Sequence, residues 1–204
     1  MPARRIIVIG TGNKHKVQEI APLLLETGLA IELKPASDYG PFDPDETGKT
    51  LEENALIKAE AAQKLSGQWS ISDDTGLEVD ALGGRPGIYA ARYAGEGCSF
   101  DDNINKLLGE LKGVPLEKRT ATFASVIALC RPGQPPLYFR GECKGFINIE
   151  RRGTGGFGYD PIFTITSLNK SFAELTTAEK NTISHRSIAV KKCRAELERL
   201  LARA

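Results

Sequence analysis

The chain has 204 residues, enough to build one substantial core. With 41% hydrophobic and 26% charged residues it is composed like an ordinary globular protein, which excludes a disordered, collagen-like or membrane-embedded chain. Lys and Arg number 27 against 26 Asp and Glu, so a net charge of +1 leaves no global basic excess for a nucleic-acid polymer, and an anionic ligand must be held by local clusters.

The opening Met1-Pro2-Ala3-Arg4-Arg5 is positive, as in a signal peptide, but only Ile6-Ile7-Val8-Ile9 follow before Gly10. Arg5 to Ile9 therefore reads as a buried first strand, and no stretch approaches the roughly eighteen apolar residues that span a bilayer. Thr11 to Lys16 is the turn into a helix carrying Val17, Ile20, Leu24 and Leu25 on one face. Gly28 is its expected stop, and Pro22 predicts a kink or a late start. A short strand over Ala30 to Lys34 leads to an acidic, Pro- and Gly-rich loop from Asp38 to Lys49. Thr50-Leu51-Glu52-Glu53 matches a capping box for a helix reaching about Ser66.

The next strand is expected to end in a turn at Asp73-Asp74-Thr75-Gly76, with another over Leu77 to Ala81 and an irregular Leu82 to Gly87. Ser99 to Asp102 starts a helix through Leu111. Thr120 to Leu129 and Leu137 to Ile149 read as strands around an Arg131–Pro136 turn, and Ile162 to Ile165 as the last strand. A helical turn at Thr176 to Lys180 precedes a helix over Arg186 to Ala202 with Ile188, Leu197, Leu200 and Leu201 as its stripe. Helices alternate with strands early and strands dominate later, so the expected fold is α/β: a mixed sheet flanked by helices, in lobes of one continuous 1–204 domain with the cleft between them. Cys98, Cys130, Cys143 and Cys193 form no C-x-x-C pair and are read as reduced packing residues in a cytoplasmic protein.

Four segments could carry chemistry. Thr11-Gly12-Asn13-Lys14-His15-Lys16 lies where strand meets helix, a place that favours an anion, although it lacks the Walker pattern and also reads as a capped turn with solvated lysines. Asp73-Asp74 puts two carboxylates at the end of a buried strand, where desolvation asks for a cation or a proton-transfer task, and alternation turns one of them to the cleft while the other anchors the turn. Gly153 to Pro161 contains G-x-G-x-x-G in the wrong context for a dinucleotide. Its glycines would let a flat ring lie against Phe157 or Tyr159, unless those aromatics point into the core. Glu179 to Arg186 places His185 and Arg186 at a helix start, where cations are unfavourable without a ligand, and Lys180 and Arg186 can donate to phosphate or carbonyl oxygen. Together the parts suit a nucleoside triphosphate with its magnesium ion.

The ordered motifs Thr11-Gly12-Asn13 with Lys16, Glu53-Asn54-Ala55, Asp73-Asp74-Thr75-Gly76-Leu77, Leu82-Gly83-Gly84 with Pro86-Gly87, Phe157-Gly158-Tyr159-Asp160-Pro161, and Glu179-Lys180-Asn181 with Ser184-His185-Arg186 resemble the noncanonical purine nucleoside triphosphate pyrophosphatases, the inosine triphosphatase-like or XTP/dITP diphosphatases. The resemblance covers essentially the whole chain and implies an elongated, mixed, twisted α/β sheet flanked by helices, in two lobes with a central active-site cleft. It implies Mg2+-dependent hydrolysis of ITP, dITP or XTP between the α and β phosphates, clearing deaminated purines from the nucleotide pool. By the same resemblance Asp74 is proton acceptor and metal ligand, and the acidic loop supplies a second ligand, Glu46 ahead of Asp45 or Glu53. Thr11, Gly12, Asn13, Lys14, His15, Lys16 and Thr75 would hold the triphosphate, and Phe157, Gly158, Tyr159, Asp160, Lys180, His185 and Arg186 would frame the base. A purine with oxygen at position six could accept from His185 or Arg186, whereas adenine would leave those donors unpaired. The implied partners are the nucleotide and a second copy of the chain, with no nucleic acid and no membrane. A phosphohydrolase or kinase acting on the terminal phosphate, and a nucleotide sensor with a structural Asp73-Asp74, remain the competing readings.

Overall fold

A computed structural model of the protein describes residues 4–26 and 28–203, so Met1 to Ala3 of the positive opening lie outside the described residues. Among the described residues eight strands form one mixed sheet in the order β2-β1-β3-β5-β6-β7-β8, with β4 paired to β3. They are β1 (Arg5–Ile9), β2 (Ile31–Pro35), β3 (Trp69–Val79), β4 (Pro86–Gly87), β5 (Thr120–Arg131), β6 (Gln134–Ile147), β7 (Phe163–Ile165) and β8 (Lys170–Ser171). β1 is parallel to both β2 and β3, whereas β3–β4, β6–β7 and β7–β8 are antiparallel. The helices are α1 (Lys14–Leu25), α2 (Leu51–Ser66), α3 (Phe100–Glu110), α4 (Thr177–Ile183) and α5 (His185–Leu201). Among the described residues no helix is long and apolar enough to cross a membrane.

The chain divides into two compact units, with boundaries inside β3, β5 and β6 and in the first turn of α5. The first comprises the chain up to Asp74, Ser125–Gly141 and the chain from Arg186 onward. β1 is buried on both faces, as a parallel strand should be. Ile7 and Ile9 join Ile20 and Leu24 of α1, Ile71, Ile127, Leu129, and Val190 and Leu197 of α5, while Val8 faces Ala36 and Ala62 of α2. The second unit comprises Thr75–Ala124 and Glu142–His185. Its core gathers Leu77, Val79, Ile104, Leu107, Phe123, Ile147, Phe163 and Phe172, and the Phe123 and Phe163 rings meet edge-on at 4.7 Å.

Several boundaries differ from the sequence expectation for identifiable reasons. β3 does not break at Asp73–Gly76 but runs for 11 residues. Its polar residues mimic a turn in sequence yet are buried strand residues with partners: Ser70 Oγ donates to Ala59 O at 2.7 Å and Ser72 Oγ to Gly10 O at 2.6 Å. α1 starts at Lys14 and continues through Pro22, so the late start does not occur. It buries Leu23 in place of Leu25, which is 46% exposed. Half of the capping box at α2 forms: Thr50 Oγ1 accepts from Glu53 N at 3.1 Å, but the Glu53 carboxylate takes the Lys49 amide at 2.5 Å instead of that of Thr50. Pro135 and Pro136 belong to β6, which shortens the predicted turn to Pro132-Gly133, and β8 follows the strand expected to be last.

Candidate active site

In the first unit, β3 delivers two consecutive carboxylates to different partners. Asp73 is fully buried, and its Oδ2 lies 3.0 Å from Lys16 Nζ and 3.3 Å from both Nε and Nη2 of Arg186, while Ser125 Oγ donates to its Oδ1. Lys16 Nζ also donates to the Asp73 carbonyl at 3.2 Å. Burial alone would raise the Asp73 pKa, but Arg186 and Lys16 outweigh it and hold the carboxyl well below the usual range. Glu19 takes the remaining side of Arg186 through Nη1. Burial also lowers the Lys16 pKa, against the pull of Asp73.

Asp74 has a different environment. Lys58 Nζ is 2.6 Å from Asp74 Oδ1 and 3.0 Å from Glu46 Oε1, so one ammonium bridges the two carboxylates that the sequence nominates as metal ligands. Among the described residues, Asp74 Oδ2 is buried without a hydrogen-bond partner. An orphaned carboxylate oxygen costs about 1–3 kcal/mol or more unless something satisfies it, and burial raises the Asp74 pKa despite Lys58.

Two glycines set this geometry. A Cβ on Gly10 would sit 2.8 Å from the Lys58 carbonyl oxygen, which shows how closely α2 packs on the chain leaving β1. Gly48 N donates to Asn54 Oδ1 at 2.8 Å, tying the acidic loop that carries Glu46 to α2. Of the alternative acidic ligands, Glu53 is engaged with the Lys49 amide and Asp45 is exposed. Among the described residues no group of three or more His, Cys, Asp or Glu side chains could hold a metal. Two carboxylates with one open buried oxygen do fit a hard divalent cation that completes its shell with water and phosphate oxygens.

The Thr11–Lys16 segment is more internally satisfied than a phosphate loop of open amides. Asn13 Oδ1 accepts from His15 N at 3.0 Å and Lys16 N at 3.3 Å, and Asn13 N donates to Thr11 Oγ1 at 3.1 Å. Asn13 is thus the N-cap of α1. Gly12, Lys14 and His15 are exposed, and Thr75, the residue after Asp74, is half-buried.

In the second unit, Asp160 organises the glycine-rich segment. Its Oδ2 accepts from Phe157 N at 2.9 Å and from Lys180 Nζ at 2.6 Å. Gly156 is left-handed with φ +72°, and a Cβ there would collide with the Asp160 carboxylate, so this turn needs glycine. The Lys180 ammonium lies 5.1 Å from the Phe157 ring centre and 5.4 Å from that of Phe172. The His185 ring stacks on Phe123 at 4.6 Å with 8° between planes. Phe157, Asp160 and Lys180 therefore form one group around a half-buried ring, with Gly158 beside it in the left-handed region. Tyr159 points into the core, its hydroxyl donating to Ala90 O at 3.0 Å. Arg186 is a member of the first unit, where its guanidinium meets Asp73 and Glu19.

Sequence reasoning missed Lys58, Ser125 and Glu19. Lys58 left a signal: it shares the α2 stripe of Asn54, Ala55, Ala59 and Ala62, all buried, and a lysine on an apolar stripe needs a counter-charge. Ser125 and Glu19 become recognisable only once Asp73 and Arg186 are in place.

The sequence model of the Ham1 family matches residues 7–196. The chain is 48% identical over 197 residues to a dITP/XTP pyrophosphatase of Geobacillus kaustophilus, covering 96% of this chain and 95% of that one. It is 46% identical over 192 residues to the Bacillus subtilis dITP/XTP pyrophosphatase, covering 94% and 96%. Among solved structures, a HAM1 protein from Coxiella burnetii superposes with a TM-score of 0.87 at 38% identity, over 98% of this chain and all of that one.

Proposed function

The chain belongs to the Ham1 family, and from that premise we propose that it hydrolyses deaminated purine nucleoside triphosphates, dITP, ITP and XTP, to the monophosphate and pyrophosphate. The observation that carries the reading is Asp74: a buried carboxylate with one oxygen on Lys58, the other unsatisfied, and Glu46 reached through the same ammonium. Asp74 and Glu46 would hold Mg2+, which when bound with substrate neutralises polyphosphate oxygens.

Asp74 orients the attacking water and accepts its proton as the water oxygen bonds to the α phosphorus and the α–β bridge oxygen departs with pyrophosphate. Lys16 and Lys58 are the cations available to the leaving pyrophosphate, with Thr11 to His15 and Thr75 around it. Asp73 keeps Lys16 and Arg186 in place. The base is assigned to Phe157, Gly158, Asp160, Lys180 and His185 of the second unit, with the Phe157 ring as stacking surface and His185 as a donor to the oxygen at position six, whereas Tyr159, expected from sequence to frame the base, has its side chain in the core. Arg186, expected from sequence beside the base, is assigned instead to Asp73. Both units together are read as one catalytic domain, working in the cytoplasm as a homodimer.

A panel of nucleoside triphosphates with Mg2+, assayed separately for pyrophosphate and orthophosphate, tests the proposal. Pyrophosphate plus monophosphate from dITP and XTP in preference to dATP and GTP is expected. Orthophosphate plus diphosphate, or equal turnover of all bases, would overturn it.

A further inference from the structure

Lys58 occupies the oxygens that a divalent cation needs. Its ammonium is 2.6 Å from Asp74 Oδ1 and 3.0 Å from Glu46 Oε1, and its side chain is only 8% exposed. Neither carboxylate can easily move off it. The α2 backbone at Lys58 is packed against Gly10, and the Glu46 loop is tied to α2 through Gly48 and Asn54. The charge on this pair is therefore already half neutralised before any ligand arrives.

We propose, resting on the function assigned above, that Lys58 is a positioning residue acting as a resident counter-charge on Asp74 and Glu46, so that a divalent cation binds tightly only together with a triphosphate. An ammonium and a hard divalent ion compete for the same oxygens, and a cation entering beside Lys58 meets a like charge a few ångströms away in a poorly screened site. A polyphosphate removes both obstacles. It supplies several negative charges, offers Lys58 another acceptor, and lends the cation the oxygens that two carboxylates lack. Metal and nucleotide then strengthen each other's binding reciprocally, with Lys58 as the coupling residue. A lysine that merely braced the carboxylates would act in the opposite sense, because its removal would loosen them and weaken the metal.

The test is Mn2+ binding to the full-length protein, followed by the electron paramagnetic resonance signal of free Mn2+, without nucleotide and with a dITP analogue carrying a methylene in place of the α–β bridge oxygen. In the wild type the analogue should tighten Mn2+ by about tenfold or more, within the usual span of coupling between sites. Lys58→Met should bind Mn2+ about tenfold more tightly than wild type without nucleotide, and the further gain from the analogue should shrink to about twofold. Nucleotide-free affinity in Lys58→Met equal to or below wild type would overturn the proposal. If Lys58→Met fails to fold, Lys58→Gln carries the same decision. Asp74→Asn separates the two readings: if the analogue-bound wild type and Asp74→Asn hold Mn2+ equally well, the assignment of Asp74 to the metal is lost, whatever Lys58 does.

Discussion

Asp73 and Asp74 are consecutive on β3 yet are paired with different cations: Arg186 and Lys16 close on the first, Lys58 on the second. Alternation along a strand separates neighbouring side chains, and here it sends the carboxylate proposed for the chemistry, Asp74, to a different cation from its neighbour.

The two should therefore fail differently when neutralised. Asp74→Asn keeps shape and loses charge, so turnover of dITP should fall by about 10²-fold or more, the scale of losing one electrostatic contributor to a transition state, with little change in thermal midpoint. Asp73→Asn leaves buried cations short of a counter-charge and should cost about 3–5 kcal/mol of stability. Pyrophosphate-release kinetics beside urea denaturation of both variants check the contrast.

Gly48→Ala probes the acidic loop. A Cβ there would lie 2.6 Å from Asn54 Oδ1 and 2.7 Å from Glu53 Cβ, so the loop must shift and take Glu46 with it. The expected result is a several-fold rise in the Mg2+ concentration giving half-maximal activity, with full activity recovered at saturating metal. A Mg2+ titration of initial rates measures it.

Phe157→Ala should raise the KM for dITP by roughly tenfold, because a base stacked on an aromatic ring gains about 1–3 kcal/mol. The backbone amide that Asp160 holds is still present in the variant. Steady-state kinetics should show KM moving more than kcat. An unchanged KM would remove the ring from the base site.

Much of this was legible in the chain. The apolar stripes of α1 and α5 come from helices with one face in the core of the first unit, and such differences are written locally. β3 was misread because Asp73 and Asp74 look like turn residues until their partners are known, and those partners come from Lys16, Ser125, Arg186 and Lys58. The Glu53 carboxylate chose the Lys49 amide over that of Thr50, a choice between neighbouring donors that spacing cannot make. Arg186 was read as a ligand group because a cation opens α5, but a buried counter-charge from another element explains the same residue.

Alkaline titration offers a check within the second unit. The Tyr93 hydroxyl donates to Glu110 Oε2 at 2.6 Å, and burial together with that carboxylate pushes its pKa up to about 12. An unfolded tyrosine ionises near 10, so this phenol's contribution to stability is complete below about pH 10 and is lost as pH rises toward 12. Denaturation midpoints between pH 9 and 12 should decline less steeply in Tyr93→Phe, and absorbance at 295 nm should show one fewer late-ionising phenol.

Asp73 meets Lys16 across 57 residues of sequence, Ser125 across 52 and Arg186 across 113. A nascent polypeptide can pair its early strands long before Arg186 has left the ribosome, yet until then this carboxylate lacks its guanidinium partner. Catalytic competence should accordingly wait for Arg186, and during refolding it should lag behind the recovery of secondary structure until α5 docks.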